Sequence, residues 1–79
     1  MNMSTQEVKE IFKKGNIEIN ADVLIDDMLL KDQGVDSLLL MNMLLVVEEA
    51  LNIKIPDEDV DTLRTLNDIA LYINNVRNV

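Results

Sequence analysis

The sequence predicts an all-α fold: a small four-helix bundle of three main helices and a short third helix, with a long loop after helix 1. Three observations predict it. Apolar residues recur at helical spacing in three separate stretches. Gly and Pro are scarce and fall at the joints between those stretches. A chain of 79 residues, 48% of it hydrophobic, can build one small core and not two.

The first helix is expected from about Thr5 to Lys14. Ser4 and Glu7 fit a capping box, in which the serine hydroxyl and the glutamate carboxylate satisfy backbone donors left free at the helix start. Val8, Ile11 and Phe12 then repeat on one face, Lys13 and Lys14 suit the negative end of the helix dipole, and Gly15 ends the run. From Asn16 to Asp36 there is no clean period. Ile17, Ile19, Val23, Leu24, Leu29 and Leu30 are scattered among Asp and Asn, and the segment is expected to fold back and pin them onto the core. A strand over Asn16 to Asn20 is the weaker alternative. A long loop of this kind is rare in a compact domain and is often functional.

The central helix is expected over Ser37 to Leu51, with Asp36 as its N-cap. On a wheel of about 100° per residue, Leu39, Leu40, Met43, Leu44, Val46, Val47, Ala50 and Leu51 share a sector of roughly 160°. This is the core face and its margins. Asn42, Glu48, Glu49 and Asn52 lie opposite, with Ser37. Among them sit Leu38, Met41 and Leu45, a second apolar stripe at i, i+3 and i+7. A neighbouring loop could bury that stripe; left bare and rimmed by acid groups, it reads as a docking face. Pro56 breaks the chain, and Asp57, Glu58 and Asp59 suit the start of a short helix anchored by Val60 and Leu63. Thr65 with Asp68 caps the last helix, whose stripe is Leu66, Ile69, Ala70, Ile73 and Val76.

Composition narrows the chemistry. There is no Cys and no His, so there is no disulfide, no thiolate metal site, no protein thiol nucleophile and no imidazole base. The net charge of −8, from 15 acidic and 7 basic residues, makes nucleic acid a poor partner and a protein with a basic docking patch a good one. The apolar runs Leu38 to Met41 and Met43 to Val47 are far too short for a membrane span. Met1 to Glu7 shows no secretory signal, and a cytoplasmic monomer is the simple expectation. Asp57, Asp59, Asp61 and Asp68 mimic the spacing of a calcium loop, but Thr62 stands where that loop needs glycine, and the last ligand is Asp rather than Glu. The adjacent pairs Asp26-Asp27 and Glu48-Glu49 need not converge across a cleft as catalytic carboxylates must, and a stand-alone enzyme is not expected.

Ser37 lies at the tip of the central helix, where free backbone N–H groups and the positive dipole end favour an anion. A serine there is ordinarily a cap. The residues around it, however, match a family. Gly34-Val35-Asp36-Ser37-Leu38 resembles the G-x-D-S-L signature of acyl and peptidyl carrier proteins. Glu48-Glu49 followed by Ile53-Lys54-Ile55-Pro56-Asp57-Glu58-Asp59 is similar to the family's E-E-x-x-x-I-x-I-P-D-E-D stretch. Thr65-Leu66, Asp68-Ile69 and Tyr72-Ile73 resemble its fourth-helix ending.

The resemblance implies a single carrier domain over residues 1–79. It implies 4′-phosphopantetheine, taken from coenzyme A by a phosphopantetheinyl transferase and joined covalently to Ser37, with Asp36 beside it. The arm's thiol would carry acyl groups as thioesters between acyl-transfer and synthase enzymes, so that the protein itself needs no catalytic group. It implies docking on basic partner surfaces through Leu38, Met41, Leu45, Glu48 and Glu49. It implies an acyl chain sheltered by Met43, Val47, Leu51, Val60, Leu63 and Ile69. The alternative is a helical interaction module or homodimer built on the Leu38, Met41, Leu45 stripe. The sequence also departs from fatty-acid-type carriers. Leu39 and Asn42 stand at two positions after Ser37 that are usually acidic, and Gln33 replaces the usual Leu before the signature glycine. The pathway stays open between fatty acid, polyketide and related lipid or peptide biosynthesis, and these departures make a specialised carrier, for a polyketide, a nonribosomal peptide or a modified lipid, credible.

Overall fold

The computed structural model describes residues 3–77, and its elements follow from the caps. Helix α1 spans Thr5–Lys14, with both halves of the Ser4/Glu7 capping box formed. Helix α2 spans Ser37–Leu51 and begins where the Asp36 carboxylate accepts the Leu39 N–H at 2.8 Å. It ends at Asn52, a left-handed residue whose N–H returns to the Glu48 carbonyl. Helix α3 is one turn, Asp57–Val60, starting after Pro56. Helix α4 spans Leu66–Arg77, and its capping box is reciprocal: Asp68 N–H donates to Thr65 Oγ1 at 3.0 Å and Thr65 N–H to Asp68 Oδ2 at 3.2 Å.

The core gathers Val8 and Phe12 of α1, Met43, Leu44 and Val47 of α2, and Leu66, Ile69, Ala70 and Ile73 of α4. Val76, expected on the α4 stripe, is half-exposed in its last turn, and Ala50, on the margin of the α2 sector, is exposed. At Gly15 the end of α1 comes so near α2 that a Cβ would lie 2.4 Å from Val46 Cγ1. Gly15 is therefore required for its smallness; its backbone is ordinary right-handed helix at φ −84°.

No strand forms over Asn16 to Asn20, among the described residues or elsewhere in them. Instead the long loop contains two 3₁₀ turns, Ala21–Val23 and Leu30–Gln33. They decide which apolar residues face inward. Residues three apart eclipse in a 3₁₀ turn, so Ala21 and Leu24 go into the core together. Val23 is consequently turned out and is 65% exposed, contrary to the expectation that it would be pinned. Leu29 likewise stays at the surface while Leu30 is buried. Ile17 and Ile19 pack partly against the core, as expected.

Polar groups fix the loop. Gln33 Oε1 accepts the Ile25 N–H at 2.7 Å, and its Nε2 donates to the carbonyls of Ile25 at 3.1 Å and Met28 at 3.0 Å. The residue that departs from the family pattern is thus a clasp across the loop. Asp26 is a second junction. Its Oδ2 accepts Thr5 Oγ1–H at 2.7 Å, Lys9 Nζ lies 3.5 Å from Oδ1, and its carbonyl accepts the Asn67 N–H at 3.1 Å. Leu30 N–H donates to the Arg64 carbonyl at 2.9 Å, joining the loop to the turn between α3 and α4. Gly34, at φ +89°, then reverses the chain into Val35 and the start of α2. These contacts set Ser37 at the junction of three segments.

Candidate functional site

Ser37 is the first residue of α2 and is exposed. The capping is done by Asp36, so the Ser37 hydroxyl is not used for it. Beside the serine lies an open groove of about 880 Å³. One wall is the loop, with Leu29, Leu30, Lys31 and Val35. The second is the first turn of α2, with Asp36, Ser37, Leu40 and Met41. The third is Val60, Asp61, Leu63 and Arg64. The groove is thus apolar for most of its length and charged near its rim.

Of the six residues expected to shelter an acyl chain, Val60 and Leu63 line this groove. Met43, Val47 and Ile69 sit in the closed core beneath, and Leu51 is half-buried toward the far end of α2. Leu29 and Leu40 were expected against the core rather than on a groove, and Lys31 and Arg64 carried no expectation, because these residues come from segments whose convergence no local period reveals.

Leu38, Met41 and Leu45 are 72%, 45% and 51% exposed, so among the described residues no loop or helix covers the second stripe of α2. Glu49 is exposed on the same helix. Glu48 is half-buried and otherwise engaged: its Oε2 accepts the Ile55 N–H at 2.8 Å and holds the turn after α2. With Met41, Leu44, Lys54, Ile55, Pro56, Asp57 and Val60 it borders a second hollow of about 280 Å³.

Helix α3 is held by Val60, packed partly against the core, and by a side-chain bond to α4. Tyr72 Oη–H of α4 donates to Asp59 Oδ2 at 2.7 Å. Desolvation, then the neighbouring Asp59 carboxylate and more weakly Glu48 and Glu58, pushes the phenol up to about 12. Asp59 and Asp68 are both committed to such bonds, and among the described residues no three acidic side chains converge as a metal site would need. Nor is any helix among them long and apolar enough to cross a membrane.

The chain is similar to known proteins. The family model described as "Phosphopantetheine attachment site" matches residues 6–73. An acyl carrier protein of Kineococcus radiotolerans is 40% identical over 55 residues, covering 70% of this chain and 68% of the relative. One of Campylobacter jejuni is 34% identical over 62 residues, covering 77% of this chain and 80% of its own. One of Clostridium perfringens is 33% identical over 67 residues, covering 84% and 87%. No solved structure gives a significant match. A helical chain with an exposed serine at a helix tip, matched from α1 to α4 by the family model and similar to these proteins, belongs to the acyl carrier protein family, whose cofactor is 4′-phosphopantetheine.

Proposed function

We propose that residues 1–79 act as one carrier domain, and that Ser37 Oγ is the atom to which the phosphopantetheine arm is joined. The single observation that carries this reading is the position of that hydroxyl: exposed, outside the capping network, and on the rim of a groove with apolar walls. The residues fit the group. Ser37 supplies the attachment oxygen, the start of α2 is a favourable place for a phosphodiester, and Leu40, Met41, Val60 and Leu63 offer apolar cover to a chain laid in the groove. When bound, the arm supplies the thiol that this chain lacks.

Loading by a phosphopantetheinyl transferase forms the Ser37 Oγ–P bond and breaks the diphosphate bond of coenzyme A. Adenosine 3′,5′-bisphosphate leaves with the electron pair, and the hydroxyl proton passes to the transferase or to water. Intact mass after incubation with transferase and coenzyme A is expected to rise by one phosphopantetheine. Ser37→Ala is expected to abolish the gain while the circular dichroism spectrum stays unchanged. A wild-type protein that never gains mass would overturn the reading.

The chain carries acyl groups rather than transforming them, and the transformation falls to partner transferases and synthases with basic docking patches. Exposed Leu38, Met41 and Leu45, with Glu49, form the docking face of a cytoplasmic monomer, and Glu48 contributes mainly by shaping the end of α2. Leu39 and Asn42 make this face less acidic than that of fatty acid carriers, which favours a specialised pathway over housekeeping synthesis. The malonyl-loaded protein is expected to be a poor substrate for chain extension by standard fatty acid synthase enzymes, and efficient elongation would refute specialisation.

A further inference from the structure

Two carboxylates, Asp36 and Asp61, line the groove next to Ser37, and the Asp36 carboxylate already occupies the Leu39 N–H at the tip of α2. An anion on Ser37 therefore meets a helix terminus that is partly taken and negatively charged neighbours. Positive charge is present on the same groove in two side chains, Lys31 and Arg64. The backbone bond from Leu30 N–H to the Arg64 carbonyl brings the two segments together, so both cations arise at one junction of the groove wall. The ion pairs among the described residues are those of Lys9 and Lys13, and of the remaining cations Lys31 and Arg64 are the two that line this groove. Neither Lys31 nor Arg64 is in an ion pair there. The Arg64 Nε–H donates to the Asp61 carbonyl at 3.3 Å, which fixes the root of the guanidinium and leaves its terminal N–H groups available. A guanidinium presents paired donors that match phosphate oxygens, and a lysine adds a mobile point charge.

We propose that Lys31 and Arg64 form the anion-holding edge of this groove, gripping the phosphodiester borne by Ser37 and laying the arm along the apolar wall. The proposal rests on the carrier reading of Ser37. Its two cations are positioning residues, so the readout is spectroscopic rather than turnover.

The test compares apo protein with holo protein of verified mass, labelled with ¹⁵N. The Arg64 Nε–H resonance is expected to move on loading, and the movement to collapse as salt rises from about 0.01 M to about 1 M, where the screening length falls from about 30 Å to about 3 Å. In the holo Lys31→Gln, Arg64→Gln double variant the ³¹P line is expected to narrow, while the amide resonances of α2 beyond its first turn hold their places. Protein loaded with butyryl and with succinyl groups separates the anion's source. Equal movement in both supports the phosphodiester. Movement with succinyl alone assigns the cations to a cargo carboxylate and overturns the proposal. An Arg64 signal indifferent to loading, with a ³¹P line already narrow in the wild type, overturns it too. Failure to gain mass at all is a separate result: it removes the carrier reading and this inference with it.

Discussion

Gly34 and Gly15 are the two glycines of the chain, and each is needed for a different physical reason. At Gly34 nothing lies within 4 Å of the place a Cβ would take, but φ is +89°. An alanine there has room and the wrong backbone, and is expected to cost about 1–2 kcal/mol. At Gly15 the backbone suits any residue and the space does not, since Val46 Cγ1 stands 2.4 Å from the Cβ position. Gly15→Ala is expected to cost about 1–3 kcal/mol by overpacking. Urea unfolding of both variants and of Gly15→Ala with Val46→Ala distinguishes the causes. The second change should recover stability at Gly15, and Val46→Ala should do nothing for Gly34→Ala. The sequence marked both glycines as punctuation, but only the neighbouring helix reveals that one of them is a packing residue.

At the scale of elements, legibility followed locality. The caps of α1 and α4 are written in side-chain pairs three residues apart, Ser4/Glu7 and Thr65/Asp68, that of α2 in the Asp36 carboxylate, which accepts the Leu39 N–H, and the helices start there. The loop was opaque because Ala21, Leu24, Leu30 and Val35 reach the core without a sustained period. Gln33 was visible as a departure, but not as a clasp, because its partners Ile25 and Met28 are identified only by their backbone atoms. The groove was half visible: Val60 comes from the short helix the sequence announced and Leu63 from the segment just after it, whereas Leu29, Lys31 and Arg64 meet only through tertiary contact.

Helix α3 is the element with least hold, a single turn with no fully buried residue, and Tyr72 Oη–H to Asp59 is its tie to α4. Tyr72→Phe is expected to lower stability by about 1 kcal/mol, and amide exchange should speed up first in α3. The phenol binds Asp59 as a neutral donor, and folding raises its pKa from 10.0 to about 12. Its stabilisation is therefore whole below pH 10 and lost as pH climbs toward about 12. The difference in urea midpoint between wild type and Tyr72→Phe should shrink across that interval; a constant difference would show that the bond does not contribute.

For the whole molecule the dominant fact is charge. With a net −8 spread over 79 residues, self-repulsion opposes the compact state. Stability is expected to increase as the Debye length falls from about 30 Å at 0.01 M salt to about 8 Å at 0.15 M. Urea midpoints measured in that range test this, and a flat profile would mean that local pairing already balances the field. The docking on basic partner surfaces proposed above should slow in the same salt, since steering is carried by the exposed charges.

The long loop is stitched to the α3–α4 side at two places, Leu30 N–H to the Arg64 carbonyl and Asn67 N–H to the Asp26 carbonyl. Both stitches use main-chain atoms, which every amino acid except proline provides in full. The side chain at position 29 can therefore change while the frame around the groove stands. Such a scaffold lets the apolar lining of the groove be exchanged, side chain by side chain, without rebuilding the bundle.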